Sequence, residues 1–348
     1  MKNIFYIIFL LALITASVFV LTGRNKRDKK ITPPSIKKNM VQSPISIDYL
    51  RTQNIIGSTI IIKEELSPGS NYNQYIAQYQ SEGNTIYGLF TIPTGEIPQG
   101  GFPAIVFNHG YIPPTQYVTT QSYIAYVDSL ARSGFVVFKI DFRGNGNSEG
   151  DPSGSYFSSA YTIDAISALK SLQTYDKVNP QRIGMWGHSM AGNAVLRAME
   201  VTPDIKAGVI WAGAVYSYQD FAKYGISDSS YTHKPFEQKV GTQQADREVS
   251  SEIQKIRSSP QTIDFSSDFW KAISLTQNVK YLSAPLEIHH AINDTTVNID
   301  YSRDLATELK KQNKEYELFE YEGGGHNIDS PYFDVAMERT IAFFKKNL

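Results

Sequence analysis

Apolar residues are arranged in three regimes along this chain, and each regime predicts a different structure. Residues 4–21 form an almost unbroken apolar run, interrupted only by Thr15 and Ser17. Its length is near the roughly 20 residues that cross a bilayer as a helix. Residues 58–65, 74–79 and 85–93 have β-type patterning and are separated by Ser67-Pro68-Gly69 and Ser81-Glu82-Gly83-Asn84. Such segments between turn residues predict an antiparallel meander over residues 51–100. From Phe102 onward, short apolar strands alternate with stretches of helical period. That rhythm predicts a mostly parallel sheet with helices on both faces.

The expected strands are 104–107, 135–140, a strand leading into Ser189, 207–211, 285–290 and 316–321. The expected helices are 121–131, 160–172, one from Ser189 to Glu200, 302–311 and 332–346. Residues 218–275 break the rhythm, being polar with weak helical periodicity over 247–257, and are expected to form an inserted lid. The predicted organisation is an anchor or signal at 1–22, a tether at 23–50 containing Pro33, Pro34 and Pro44, and one α/β domain at 51–348. Lys2 precedes the apolar run, while Arg24, Lys26, Arg27, Lys29 and Lys30 follow it. Counting positive charges keeps the body in the cytoplasm, whereas a very short tail before one apolar run is the usual form of an export signal. The expectation adopted is an uncleaved membrane anchor through residues 4–21, with the catalytic body extracytoplasmic.

Charge and composition narrow the chemistry. The net charge of −1 over 348 residues leaves no basic footprint, so nucleic acid is excluded as an expected partner. There is no cysteine, which removes disulfides, thiolate metal sites and a cysteine nucleophile.

The densest chemical signal is Gly187-His188-Ser189-Met190-Ala191-Gly192, placed between a buried strand and a helix. It is the G-x-S-x-G pattern with alanine in the last slot. A chain reversing this sharply strains the serine and needs small neighbours two positions away on either side. Asp294 follows the 285–290 strand, and His326 follows the 316–321 strand after Gly323-Gly324-Gly325. The order Ser, Asp, His at the carboxyl ends of parallel strands suits a nucleophile, an orienting carboxylate and a general base. Asp300 and Asp329 compete with Asp294 for the carboxylate role. The oxyanion donors expected are the backbone N–H groups of Met190 and of Tyr111, in the loop Asn108-His109-Gly110-Tyr111. His109 is expected to brace that loop, and Asp141 and Arg143 to form a loop-stabilising pair. His289 and His290 alternate on a strand, so one metal does not readily take both; no metal and no cofactor are expected.

These motifs, together with Phe107-Asn108-His109-Gly110 and the stretch from Asp141 to Gly150, resemble the α/β-hydrolase superfamily, closest to the prolyl oligopeptidase catalytic domain. The resemblance covers about residue 102 to the C-terminus and implies a cofactor-free serine hydrolase using Ser189, Asp294 and His326. About 50 residues of β meander stand where that family's peptidases carry a β-propeller. The expected activity is therefore a carboxylesterase on small acyl esters. The alternatives are a serine peptidase on short peptides and a catalytically silent binding module.

Overall fold

The computed structural model describes residues 43–152, 154–227, 254–256 and 258–348. A nine-stranded sheet runs through them in the order β1-β2-β3-β5-β4-β6-β7-β8-β9. The first three strands, β1 (Ile61–Glu65), β2 (Tyr72–Ser81) and β3 (Asn84–Pro93), are the antiparallel meander. It joins the rest through an antiparallel pairing of β3 with β5 (Val136–Ile140). The remaining strands, β4 (Phe102–Asn108), β6 (Val178–His188), β7 (Gly208–Trp211), β8 (Leu286–Ala291) and β9 (Tyr316–Tyr321), are parallel with β5 and with one another. This is the α/β-hydrolase fold.

Burial on two faces explains the continuous apolar strands. In β4, Ala104 and Val106 point to one core while Ile105 and Phe107 point to the other. The first core is closed by α3 (Ala160–Leu172) and α4 (Met190–Val201), the second by α2 (Ile124–Arg132) and α7 (Phe333–Asn347). A strand buried on both sides has no solvent face to make polar.

Three expectations need correcting. The tether does not extend to residue 50, because Ile47–Thr52 is a helix, α1. Ser46 caps it by accepting the Tyr49 N–H, and Ile45, Ile47 and Leu50 are buried. Arg197 and Arg51 fasten this segment to α4, donating to the Ile45 and Glu200 carbonyls respectively. A proline-and-lysine composition hid two isoleucines and a leucine with a core to enter. Second, the membrane anchor and the extracytoplasmic location are not supported. Among the described residues no helix is long and apolar enough to cross a membrane, and the run at 4–21 lies outside them. The anchor rested on hydropathy alone, which measures composition and not a spanning helix. Third, Asp141 and Arg143 are not partners. Arg143 binds Asp164 at 2.6 Å and Glu82 at 3.0 Å, while Asp141 takes the Tyr117 hydroxyl at 2.5 Å. They lie two apart at a strand end and face different neighbours.

Residues 228–253, a little under half of the expected lid, are outside the described set. Its described flanks belong to the body. Helices α5 (Tyr218–Tyr224) and α6 (Asp268–Ile273) bury Tyr218, Phe221, Trp270 and Ile273 in the first core.

The sheet meets α4 at very close range. A Cβ on Gly192 would lie 2.8 Å from both the Gly213 Cα and the Ile210 methyl. Gly192→Ala is therefore expected to cost about 1–3 kcal/mol through overpacking. The measurement is the urea midpoint at unchanged m-value; a wild-type midpoint would mean that α4 shifts to make room.

Candidate active site

Ser189 ends β6 and precedes α4, with φ 54° and ψ −123°. A non-glycine residue there is strained. The reversal is possible because its neighbours are small. A Cβ on Gly187 would stand 2.9 Å from the Ala191 carbonyl and 2.7 Å from a Val195 methyl. The extra methyl of Ala191 is fully buried, so the turn accommodates it. The first N–H groups of α4 lie behind Ser189, where they favour negative charge.

The three chain-distant residues meet here. The Ser189 hydroxyl donates to His326 Nε2 at 2.9 Å, and His326 Nδ1–H donates to Asp294 Oδ2 at 2.7 Å. Asp294 Oδ1 accepts the N–H groups of Thr296 and Val297 at 2.8 and 3.0 Å. Burial alone would push the Asp294 carboxyl up. Hydrogen bonds from His290 and His326, the charge of His326 and the Val297 N–H outweigh it and hold the group well below the usual carboxylate range. Of the competing carboxylates, Asp300 pairs with Arg303, and Asp329 lines the cleft without reaching His326 Nδ1 in place of Asp294. The loop carrying His326 is tied down on two sides. Asn293 accepts the Gly325 N–H at 2.9 Å, and the Tyr126 hydroxyl donates to the Asn327 carbonyl at 3.0 Å.

The cleft above Ser189 has a volume of about 400 Å³, near the lower end for small-molecule sites. Tyr111, Ile112, Tyr123 and Tyr126 form its apolar lining, and Asp329 is its one carboxylate among the described residues. Tyr111 thus lies in the cleft with Ser189, and Met190 opens α4 directly after it. The Gly110 N–H is committed elsewhere, donating to the Tyr123 hydroxyl at 3.0 Å. His109 is buried, stacks on Tyr117 at 4.3 Å and contacts the Gly110 carbonyl through Nδ1 at 2.7 Å.

Two histidines at this site escaped the sequence reading. His290 was weighed only as a metal ligand, yet its Nε2–H lies 3.2 Å from Asp294 Oδ2 and 3.1 Å from the Val297 carbonyl. Ser302 donates to its Nδ1 at 2.8 Å. The i,i+4 spacing to Asp294 was the available signal. His289 faces the other way, into Glu287 and Tyr321. Among the described residues no cluster of three or more histidines and carboxylates has metal-holding geometry. His188, inside the serine motif, reaches the His326 carbonyl with Nε2–H at 2.9 Å.

With this geometry in view, comparison with known proteins places the chain. The profile of the serine aminopeptidase S33 family matches residues 103–329, the greater part of the sequence. The chain belongs to that family. It is thus an α/β-hydrolase and a serine hydrolase enzyme. A curated relative, the uncharacterized peptidase YtmA of Bacillus subtilis, is 26% identical over 79% of this chain and 92% of its own length. Acetyl xylan esterase 1 from Thermoanaerobacterium superposes with a TM-score of 0.62 at 15% identity, covering 87% of this chain and 94% of the esterase. A puromycin-hydrolyzing peptidase of Mycobacterium tuberculosis superposes with a TM-score of 0.60 at 20% identity, over 81% of this chain. The chain spans only 40% of that peptidase's length. Identities this low establish a shared fold, and at that level the resemblance to prolyl oligopeptidase catalytic domains is borne out. Esterases and peptidases both lie among these structural neighbours.

Two buried histidines give the site a pH signature. Burial pushes both His109 and His188 down to about 3. The unfolded chain binds a proton at each below roughly pH 6.5, whereas the folded protein does not until about pH 3. Stability from these two groups is present above that window and is lost as pH falls through it. These two groups should therefore contribute an uptake of about two protons on unfolding at pH 5 that they do not contribute at pH 8. The pH dependence of the denaturant midpoint measures this, and His188→Gln should remove about one of the two. An unchanged slope in that variant would show that His188 is already charged in the folded state.

Proposed function

We propose that this protein is a carboxylesterase acting on small acyl esters through an acyl-enzyme, with Ser189 as nucleophile, His326 as general base and Asp294 as its orienting carboxylate. The observation that carries the reading is the unbroken chain from Ser189 Oγ to His326 Nε2 to Asp294 Oδ2, at 2.9 and 2.7 Å. A serine hydroxyl attacks a carbonyl only as its proton leaves, and His326 Nε2 is the acceptor in place. Asp294 fixes the tautomer that keeps Nε2 open and stabilises the imidazolium. The developing oxyanion takes the backbone N–H groups of Met190 and Tyr111. His326 then returns the proton to the departing alkoxide. Water repeats the sequence on the acyl-enzyme and frees Ser189.

The size of the cleft supports the ester reading over the peptide one. Its volume of about 400 Å³ and the tyrosine rings of Tyr111, Tyr123 and Tyr126 along part of its wall suit a small acyl group. Holding an extended peptide needs a charge clamp or a strand edge. The peptidase alternative, action on short peptides, draws on the family assignment and on peptidases among the fold neighbours.

Ser189→Ala and His326→Ala are each expected to lower turnover of an activated ester by several orders of magnitude, the double variant little further. Multiplicative losses would separate the two residues and defeat the assignment. For substrate class, one acyl group presented as ester and as amide should show at least a hundredfold difference in kcat/KM, about 2.7 kcal/mol. Equal rates, or a preference for dipeptides with a free amino terminus, would favour the peptidase.

A further inference from the structure

Tyr123 sits in the left-handed region, at φ 62° and ψ 21°, and its ring lines the cleft. A bulky residue holds such a backbone only where its surroundings compel it. The compulsion is at its hydroxyl. That oxygen accepts the Gly110 N–H at 3.0 Å, and its proton goes to His188 Nδ1 at 2.7 Å. On the far side of the ring, His188 Nε2–H donates to the His326 carbonyl at 2.9 Å. One arrangement of protons satisfies every group in the chain: Gly110 N–H to Tyr123, Tyr123 to His188, His188 to His326. A Cβ on Gly110 would fall 2.5 Å from the Tyr123 oxygen and 2.9 Å from His188 Nδ1. Only glycine leaves room for this strut.

The strut crosses the site. It begins on the loop after β4, passes the residue before the nucleophile, and ends on the loop after β9. We propose that Tyr123 and His188 are positioning residues that lock the Gly110–Tyr111 loop and the His326 loop to each other across Ser189. The inference rests on the acyl-transfer reading above, in which those loops carry an oxyanion donor and the base. Neither residue trades a proton with substrate. Burial keeps His188 neutral and raises the Tyr123 phenol well above its ordinary value. Their contribution is geometric: donor and base hold their spacing when the tetrahedral intermediate forms, where small displacements cost rate more than binding.

Tyr123→Phe removes one oxygen and severs the strut at its centre. On p-nitrophenyl acetate, kcat should fall about tenfold or more with KM within about twofold. Affinity for phenylboronic acid, whose tetrahedral adduct with Ser189 imitates the intermediate, should fall by a similar factor. His188→Gln keeps a donor for the His326 carbonyl but loses the Tyr123 contact, and should match Tyr123→Phe. The double variant should add little. Wild-type kcat and boronate affinity in folded Tyr123→Phe, or losses that multiply in the double variant, would overturn the proposal; His188→Gln decides by the same criteria if Tyr123→Phe does not fold. Wild-type protein whose ester turnover survives Ser189→Ala would instead defeat the acyl-transfer reading on which the proposal rests.

Discussion

The site depends first on one strained residue. Ser189 has a backbone conformation that an L-residue avoids, and its side chain makes no capping bond to α4. What holds it is packing on either side: β6 is locked between β4 and β7, and α4 lies against the sheet at glycine-only distances. Backbone bonds reinforce the reversal, since the Ser189 N–H donates to the Trp211 carbonyl and the Gly192 N–H to the Ser189 carbonyl. Strain at one residue is tolerable where many contacts fix its surroundings. The sheet therefore acts as a jig, and the Ser189 hydroxyl is presented by the core and not by a flexible loop.

The loop that faces Ser189 is held differently, by buried charge. Lys139 lies near the carboxyl end of β5, fully buried, and donates to the Thr119 carbonyl at 2.6 Å and the Tyr117 hydroxyl at 3.0 Å. Asp141, two residues on, binds the hydroxyls of the same Tyr117 and Thr119. Burial pushes Lys139 down to about 8 and Asp141 up, each restrained by the other. Such a pair adds little stability over apolar residues of the same size. Its effect here is positional: residues 117–119 have one set of partners, so the following Tyr123 enters the cleft at one place.

How much of this was legible in the sequence varied with the range of the interaction. The alternation of β4 between two cores, the bounds of α3 and β9, and the reversal at Ser189 are local consequences of apolar spacing and small residues, and they could be read directly. The convergence of loops after β6, β8 and β9 was legible because parallel topology puts strand ends on one side. Partner choice among near-equivalent polar groups was not. Arg143 selects Asp164 and Glu82 over the nearby Asp141, a choice fixed by helix α3 and the β2–β3 turn arriving from elsewhere in the chain. His290 and Asp294 are close in sequence, but only the turn through Val297 folds the carboxylate back onto that ring. The end of the expected tether, residues 43–50, illustrates a related limit: the prolines and lysines before it dominate the pattern, and three apolar side chains, Ile45, Ile47 and Leu50, decide its fate.

The same packing explains why only one of the histidines around Ser189 suits the role of base. His188 is adjacent to Ser189, and its ring lies 4.6 Å from that of His326. Burial pushes it down to about 3, and the nearby His326 adds to the shift, so near neutral pH it has no tendency to bind a proton. Its Nδ1 lone pair is moreover already occupied by the Tyr123 hydroxyl. His109 is excluded in the same way by burial, and His290 already spends its Nε2–H on Asp294 and Val297. His326 alone among the four combines a carboxylate behind Nδ1, a serine before Nε2 and a side chain that remains 20% exposed. Exposure matters because an imidazolium in this position would have to be solvated or paired, and the open side of the ring and the Asp294 carboxylate offer both. Around Ser189 and Asp294, His326 alone faces the serine, while His188 and His290 spend their ring nitrogens on loop partners. Burial and prior hydrogen bonding, more than proximity to the serine, draw that division.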